Sequence, residues 1–176
     1  MAPRALSQVY RAAVYEAGGV AFTLSEKPAG LVPFGGRSFA VVTAHNPGSR
    51  PLSERENARR HRRLERLLRA RGHDLAASVN RSPDGGWREE GFVVYGIALE
   101  EALDIGRRFG QKAIVYGEGG RVALAWCEDG GLEWFYPREV SPQGCPDEHP
   151  GVSGGDGLPL GPEVQNSHKT TEEVEA

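Results

Sequence analysis

The alternation of apolar and polar positions divides most of the chain into helices and strands. Leu6, Val9, Tyr10, Ala13 and Val14 recur at helical spacing over residues 4–17, and Gly18-Gly19 ends the run. Val20–Leu24 predicts a short strand. Lys27–Gly36, with Pro28, Gly30, Pro33, Gly35 and Gly36, predicts a loop. Arg37–Ala44 is apolar on both faces, which predicts a central strand covered on both sides. His45-Asn46-Pro47-Gly48-Ser49 is a turn. Ser53, with Glu56 three residues on, is a capping box that opens a helix to about Arg71, where Gly72 stops it. Asp74–Asn80 and Glu90–Gly96 flank Pro83-Asp84-Gly85-Gly86 as an antiparallel hairpin. Ala98–Phe109 predicts a helix with Leu99, Ala102, Leu103 and Gly106 on one face. Lys112–Tyr116 and Arg121–Trp126 flank the Gly117-Glu118-Gly119-Gly120 turn, and Leu132–Tyr136 adds a strand.

These elements predict an α+β domain over residues 1–137: a mostly antiparallel sheet of five or six strands with about three helices packed on it. Residues 138–176 differ in kind. They hold Pro142, Pro146, Pro150, Pro159 and Pro162, six glycines and eight acids against Arg138 and Lys169, a net of -6. So little apolar surface cannot offset the entropy of ordering, so a disordered acidic tail is expected there.

Composition narrows the class. The chain has 176 residues, 39% hydrophobic and 26% charged, which suits one domain with a tail. No apolar run is long enough to span a membrane, and the first residues lack the apolar core of a signal peptide. Cys127 and Cys145 are the only cysteines, too few for a disulfide framework, so a reducing, bacterial-type cytoplasm is the expected location. The net charge of -3 hides an asymmetry. From Arg50 to Arg71 nine arginines stand against Glu54, Glu56 and Glu65, a local +6. The acidic tail could fold back over this basic segment and compete with polyanions.

The basic helix carries the first candidate chemistry. With Leu64 at 0° on a wheel of about 100° per residue, Leu68 falls near 40° and Leu67 near 300°, which defines the buried stripe. Asn57 falls near 20° and Arg60 near 320°, inside that stripe, with His61 near 60°. A buried amide or guanidinium needs a partner: backbone carbonyls, a carboxylate or a ligand. Arg59, Arg62, Arg63, Arg66 and Arg69 cover the outer face. They are either solvated surface, with Glu65–Arg69 as an i,i+4 pair, or a patch that neutralises nucleic-acid phosphates. No helix-turn-helix or zinc-finger pattern accompanies them.

Thr43-Ala44-His45-Asn46-Pro47 sits where a central strand ends and the chain turns toward a helix N-terminus, a place where an anion can be held. The same residues are also ordinary turn chemistry. His45 is a candidate general base at neutral pH, against the plain reading of a solvated loop histidine. Cys127, Asp129, Cys145 and His149 show no compact metal-ligand spacing, so no metal is expected. The Gly117–Gly120 run lies between two strands, so it is a turn and not a phosphate loop. No nucleophile elbow occurs. No cofactor is implied.

Four segments together resemble a known family. They are Phe39-Ala40-Val41-Val42-Thr43-Ala44-His45-Asn46-Pro47, Asn57 early in the next helix, Trp87-Arg88-Glu89-Glu90-Gly91-Phe92, and Phe109-Gly110-Gln111-Lys112-Ala113-Ile114-Val115-Tyr116-Gly117. The set is similar to the bacterial domain-of-unknown-function family 3293 over about residues 5–126. The resemblance implies a shared fold and polar set, and no activity. That family often has an aromatic where His45 stands, which lowers His45 as a catalytic residue.

The polar set is Thr43, Asn46, Asn57, Arg60, Glu89, Glu90 and Gln111. If the strand ends share one edge of the sheet, these side chains converge on one cleft, with one of Glu89 and Glu90 facing in. The plain alternative is a buried ion pair between a Glu and Arg60. Three functions follow. One is a pocket for a small nucleotide-like or phosphorylated ligand, in which a carboxylate could serve as acid or base. The second is nucleic-acid binding through the arginine helix, and the third is a protein-interaction module with a structural polar core.

Overall fold

The computed structural model describes residues 4–141. Helix α1 (Arg4–Ala12) leads into strands β1 (Val14–Ala17), β2 (Val20–Ser25) and β3 (Phe39–Thr43). Helix α2 (Glu54–Ala70) precedes β4 (Asp74–Arg81) and β5 (Arg88–Tyr95). Helix α3 (Leu99–Arg108) precedes β6 (Ala113–Glu118), β7 (Arg121–Trp126) and β8 (Leu132–Glu139). The expected tail, from residue 142 on, lies outside the described residues. Strand β8 runs through Arg138 and Glu139, which pair with Thr23 and Phe22.

The eight strands close into an antiparallel barrel in the order β1-β2-β8-β7-β6-β3-β5-β4, with β4 pairing back onto β1. This overturns the expected five- or six-stranded sheet. Two causes account for the difference. First, the helical spacing of Leu6 to Val14 spans a break: α1 stops at Ala12, and Val14–Ala17 is a strand. Gly18-Gly19 is therefore the turn of the β1–β2 hairpin and not a helix stop. Both glycines have positive φ (54° and 83°), as a two-residue hairpin turn requires. A Cβ on Gly18 would stand 2.1 Å from the Tyr95 hydroxyl oxygen. Second, closure depends on pairings between distant segments, such as Tyr15 with Asn80 and Leu24 with Pro137. No local periodicity encodes them.

An eight-stranded barrel is narrow enough to be filled by its own side chains. Tyr15, Phe22, Leu24, Phe39, Val41, Val93, Val115, Leu124, Trp126 and Phe135 form that interior. A second apolar layer covers part of the outside. There Ala40, Val42, Phe92, Val94, Ile114 and Tyr116 from the strands pack against Leu64 and Leu68 of α2 and Leu103, Ile105 and Phe109 of α3. Every residue of β3 is buried, as its apolar faces predict: Phe39, Val41 and Thr43 face inward, and Ala40 and Val42 face the helices. On α3, Gly106 permits this approach, because a Cβ there would come within 2.6 Å of Cys127 Sγ.

The two ends of the barrel are closed differently. At one end, Phe34 from the Pro33–Gly36 turn sits edge-on to Phe39 (4.8 Å between ring centroids) and Tyr95 (5.0 Å). At the other end, α1 packs Leu6 and Tyr10 against the interior. The Tyr10 ring meets Trp126 edge-on at 5.9 Å, and the Tyr15 hydroxyl donates to the Tyr10 carbonyl at 2.7 Å. Ser7 anchors α1 through a hydrogen bond to Glu133.

Candidate ligand pocket at the barrel mouth

The α1 end of the barrel carries most of the polar set. Strand alternation places Glu89, Gly91, Val93 and Tyr95 on the inner face of β5, and Glu90 and Phe92 on the outer face. Glu89 therefore looks into the barrel mouth. Glu90 is exposed and pairs with Arg88 at 2.8 Å. This hydrogen bond to Arg88 holds the Glu90 carboxyl below its ordinary pKa.

A cavity of about 270 Å³ opens at this mouth. Its apolar wall includes Leu6, Val9, Tyr10, Pro51 and Trp87, and its polar groups come from Asn46, Ser49, Glu89, Gln111 and Lys112. Behind it lies a small inner cavity of about 30 Å³, reached by Thr43, Asn80 and Tyr15. Tyr10, Trp87, Glu89 and Gln111 line both spaces and so form the partition between them. The inner space is large enough for a water molecule, which needs about 10–15 Å³.

Glu89 accepts a hydrogen bond from Asn46 Nδ2 at 2.9 Å. No cation pairs with it among the described residues. Burial raises its pKa above the ordinary value of 4.5, and the Asn46 hydrogen bond opposes the rise. Its cross-strand partner is Asn80, whose Oδ1 is buried without a hydrogen-bond partner among the described residues. The mouth thus sets a carboxyl whose charge burial disfavours beside an unsatisfied acceptor on the neighbouring strand. Burial also raises the Tyr10 phenol, against a lowering hydrogen bond with Ser49.

Asn46 is held by its loop. Its φ is +44°, within the left-handed region that Asn tolerates better than most residues, and Gly48 and Ser49 also have positive φ. Asn57 locks the arrangement from α2: its Oδ1 accepts from the Asn46 backbone N–H at 3.0 Å, and its Nδ2 donates to Asn46 Oδ1 at 3.0 Å. Leu52 N–H donates to the same Asn46 oxygen. With its oxygen doubly occupied, the Asn46 amide must present its nitrogen to Glu89. Ser53 caps α2 by accepting from the Glu56 N–H, as the capping box predicts. The buried side of α2 is Asn57, Leu64 and Leu68, as the wheel predicts.

The other expected site residues divide clearly. Gln111 lines the pocket and donates from Nε2 to the His45 carbonyl at 2.9 Å. Thr43 is buried, donates to the Glu90 carbonyl and accepts from the His45 N–H, and it borders the inner cavity only. Arg60 points inward but does not line the pocket. Its guanidinium donates to the Ala44 carbonyl at 2.7 Å and to the Phe109 carbonyl, so it ties α2 to the ends of β3 and α3 and forms no ion pair with a Glu among the described residues. His45 also lies outside the pocket lining. Its ring is edge-on to His61, which stacks on Phe92 at 4.5 Å. Burial, then the neighbouring His61, lowers the His45 pKa. Cys127 is a buried free thiol whose pKa burial pushes up to about 11. Cys145 and His149 lie outside the described residues.

Tyr10, Trp87, Asn80 and Lys112 also belong to this site, outside the polar set expected from the sequence. For Trp87 the signal was present, because it stands two residues before Glu89 and so shares its strand face. Tyr10 and Asn80 become neighbours of Glu89 only through α1 docking and barrel closure.

Residues 42–114 match the family described as Protein of unknown function (DUF3293). The expected resemblance is thereby shown over that stretch. No curated protein and no solved structure matches the chain. The DUF3293 stretch supplies Thr43, Asn46, Asn57, Glu89, Asn80, Trp87 and Gln111, whereas Tyr10 and the α1 wall lie before it. No helix among the described residues is long and apolar enough to cross a membrane.

Proposed function

We propose that the barrel mouth binds a small nucleotide-like molecule, with a planar, nitrogen-rich base held against Tyr10 and Trp87 and hydrogen-bonded to Glu89. The observation that carries this reading is the Glu89 carboxyl, which faces a cavity of about 270 Å³ with no cation partner among the described residues and only the Asn46 amide to satisfy it. A part-buried carboxyl left with free hydrogen-bonding capacity is costly to a fold and useful to a site that recognises donor-bearing ligands. Aromatic walls with a few convergent polar groups suit a flat heterocycle. The volume suits a single base better than a whole nucleotide, so a sugar or phosphate arm would extend toward Lys112 at the rim. Arg60, the cation of the expected polar set, is occupied by backbone carbonyls, which favours base recognition over recognition of a phosphate alone.

Thermal unfolding of the full chain with adenine, guanine, cytosine and uracil, their nucleosides and monophosphates, and ribose 5-phosphate tests this. A ligand at about a hundred times its dissociation constant adds about 2.7 kcal/mol, a shift of several degrees for a domain of this size. The expected result is a shift with one class of base-containing compound that disappears in Glu89→Ala. A shift with ribose 5-phosphate alone, or no shift with any compound, would overturn the reading.

A further inference from the structure

The outer face of α2 carries a separate feature that the pocket does not use. Arg55, Arg59, Arg62, Arg66 and Arg69 recur at spacings of four, three, four and three residues. On a helix this spacing keeps the side chains in one line, about 21 Å long at 1.5 Å per residue. The line lies opposite the side marked by buried Asn57, Leu64 and Leu68, and all five arginines are exposed. Two have acidic neighbours: Arg59 lies 3.8 Å from Glu56 and Arg69 lies 2.9 Å from Glu65. Arg55, Arg62 and Arg66 form no ion pair among the described residues, and nor does Arg63 beside them. Like charges one turn apart, such as Arg55 with Arg59 and Arg62 with Arg66, weaken a helix on their own. The local +6 also sits on a chain whose net charge is -3, so the basic character is concentrated rather than general.

We infer that this arginine line is a docking surface for the sugar-phosphate backbone of a nucleic acid. A straight row of guanidiniums matches a row of phosphates, each of which an arginine can grip with two parallel N–H donors. The face holds no exposed Asn or Gln to read a base edge and no aromatic ring on which a base could stack. The contact is therefore to backbone and independent of sequence. It is separate from the base-binding reading of the barrel mouth and stands or falls without it.

The test is binding of the full chain to a labelled duplex DNA and a labelled single-stranded RNA across a salt series, with anionic phospholipid vesicles as a third arm. Neutralising three to five phosphates on duplex DNA predicts an affinity loss of roughly 40- to 500-fold between 50 and 200 mM salt. Arg62→Gln with Arg66→Gln should weaken binding and reduce the salt slope by about two. The control pair Arg37→Gln with Arg121→Gln removes the same charge from other surfaces and should leave the slope unchanged. Unfolding temperature confirms that each variant is folded. Absence of nucleic-acid binding at 50 mM salt would overturn the inference. So would equal losses in the two double variants, or binding to vesicles but to neither nucleic acid.

Discussion

The two ends of this barrel solve the same problem with different chemistry. One end is stoppered by rings: Phe34, Phe39 and Tyr95 meet edge-to-face, and Phe22 stands 6.3 Å from Phe39. The other end is lined by Glu89, Asn80, Asn46 and Gln111 and leaves a cavity beneath α1. An aromatic plug gains stability from every ring it buries. A polar mouth spends stability, because a part-buried carboxyl and an unsatisfied amide oxygen both lose hydration. The strands run through both ends, so the barrel architecture does not force this difference. It comes from the residues at strand termini and from the loop that holds Asn46.

The comparison breaks most sharply at the plug. Phe39→Ala removes a ring that is only 1% exposed, and truncations of this kind cost about 3–5 kcal/mol. Chemical denaturation should show that loss with ligand response retained in whatever protein remains folded. Asn57→Ala comes next. It strips Asn46 of two partners in a buried setting, which costs about 1–3 kcal/mol. Unlike the plug variant, it should also abolish the thermal response to ligand, because the Asn46 amide is no longer aimed at Glu89.

Glu89→Gln sharpens the comparison from the other side, by stabilising. Burial raises the Glu89 pKa in the folded state, so folding favours the protonated form. That favourable share is complete below the ordinary value of 4.5 and is lost as pH rises through the folded value. The neutral amide escapes the loss. The variant should therefore unfold at a higher temperature than the parent at pH 7, with the gap closing as pH falls below about 4.5. Glu90→Gln, on the outer face and paired with exposed Arg88, should change stability by no more than about 0.5 kcal/mol. A large effect at Glu90 would show that the inner and outer assignments on β5 are reversed. The smallest effect concerns Cys127. With its pKa raised to about 11, it should resist thiol-modifying reagents at pH 7.5 until the domain unfolds, which peptide mapping by mass spectrometry can follow.

Much of this is legible in the sequence. The burial of Asn57 followed from its position on the wheel with Leu64 and Leu68. The covering of β3 on both faces followed from its unbroken apolar run, and the inward turn of one of Glu89 and Glu90 followed from strand alternation. Barrel closure was not legible. Four residues, Val14–Ala17, are too few to outweigh a helical repeat that precedes them, and the β1–β4 and β2–β8 pairings are set by the whole fold. The fate of Arg60 was open for a related reason. Its inward direction is a local property, whereas the carbonyls of Ala44 and Phe109 that receive it belong to two other elements. The aromatic plug was likewise hidden, since Phe34 lies in a segment whose prolines and glycines mark it only as a loop.

The central claim is that the polar mouth holds a carboxyl whose proton is favoured by burial and moderated by one amide. A carbon-13 NMR titration of the Glu89 side-chain carboxyl in the full chain, repeated in Asn46→Ala, measures this directly. The account predicts a Glu89 midpoint above that of the exposed glutamates, and a further rise when the Asn46 hydrogen bond is removed. A midpoint at or below that of the exposed glutamates, unmoved by Asn46→Ala, would contradict it.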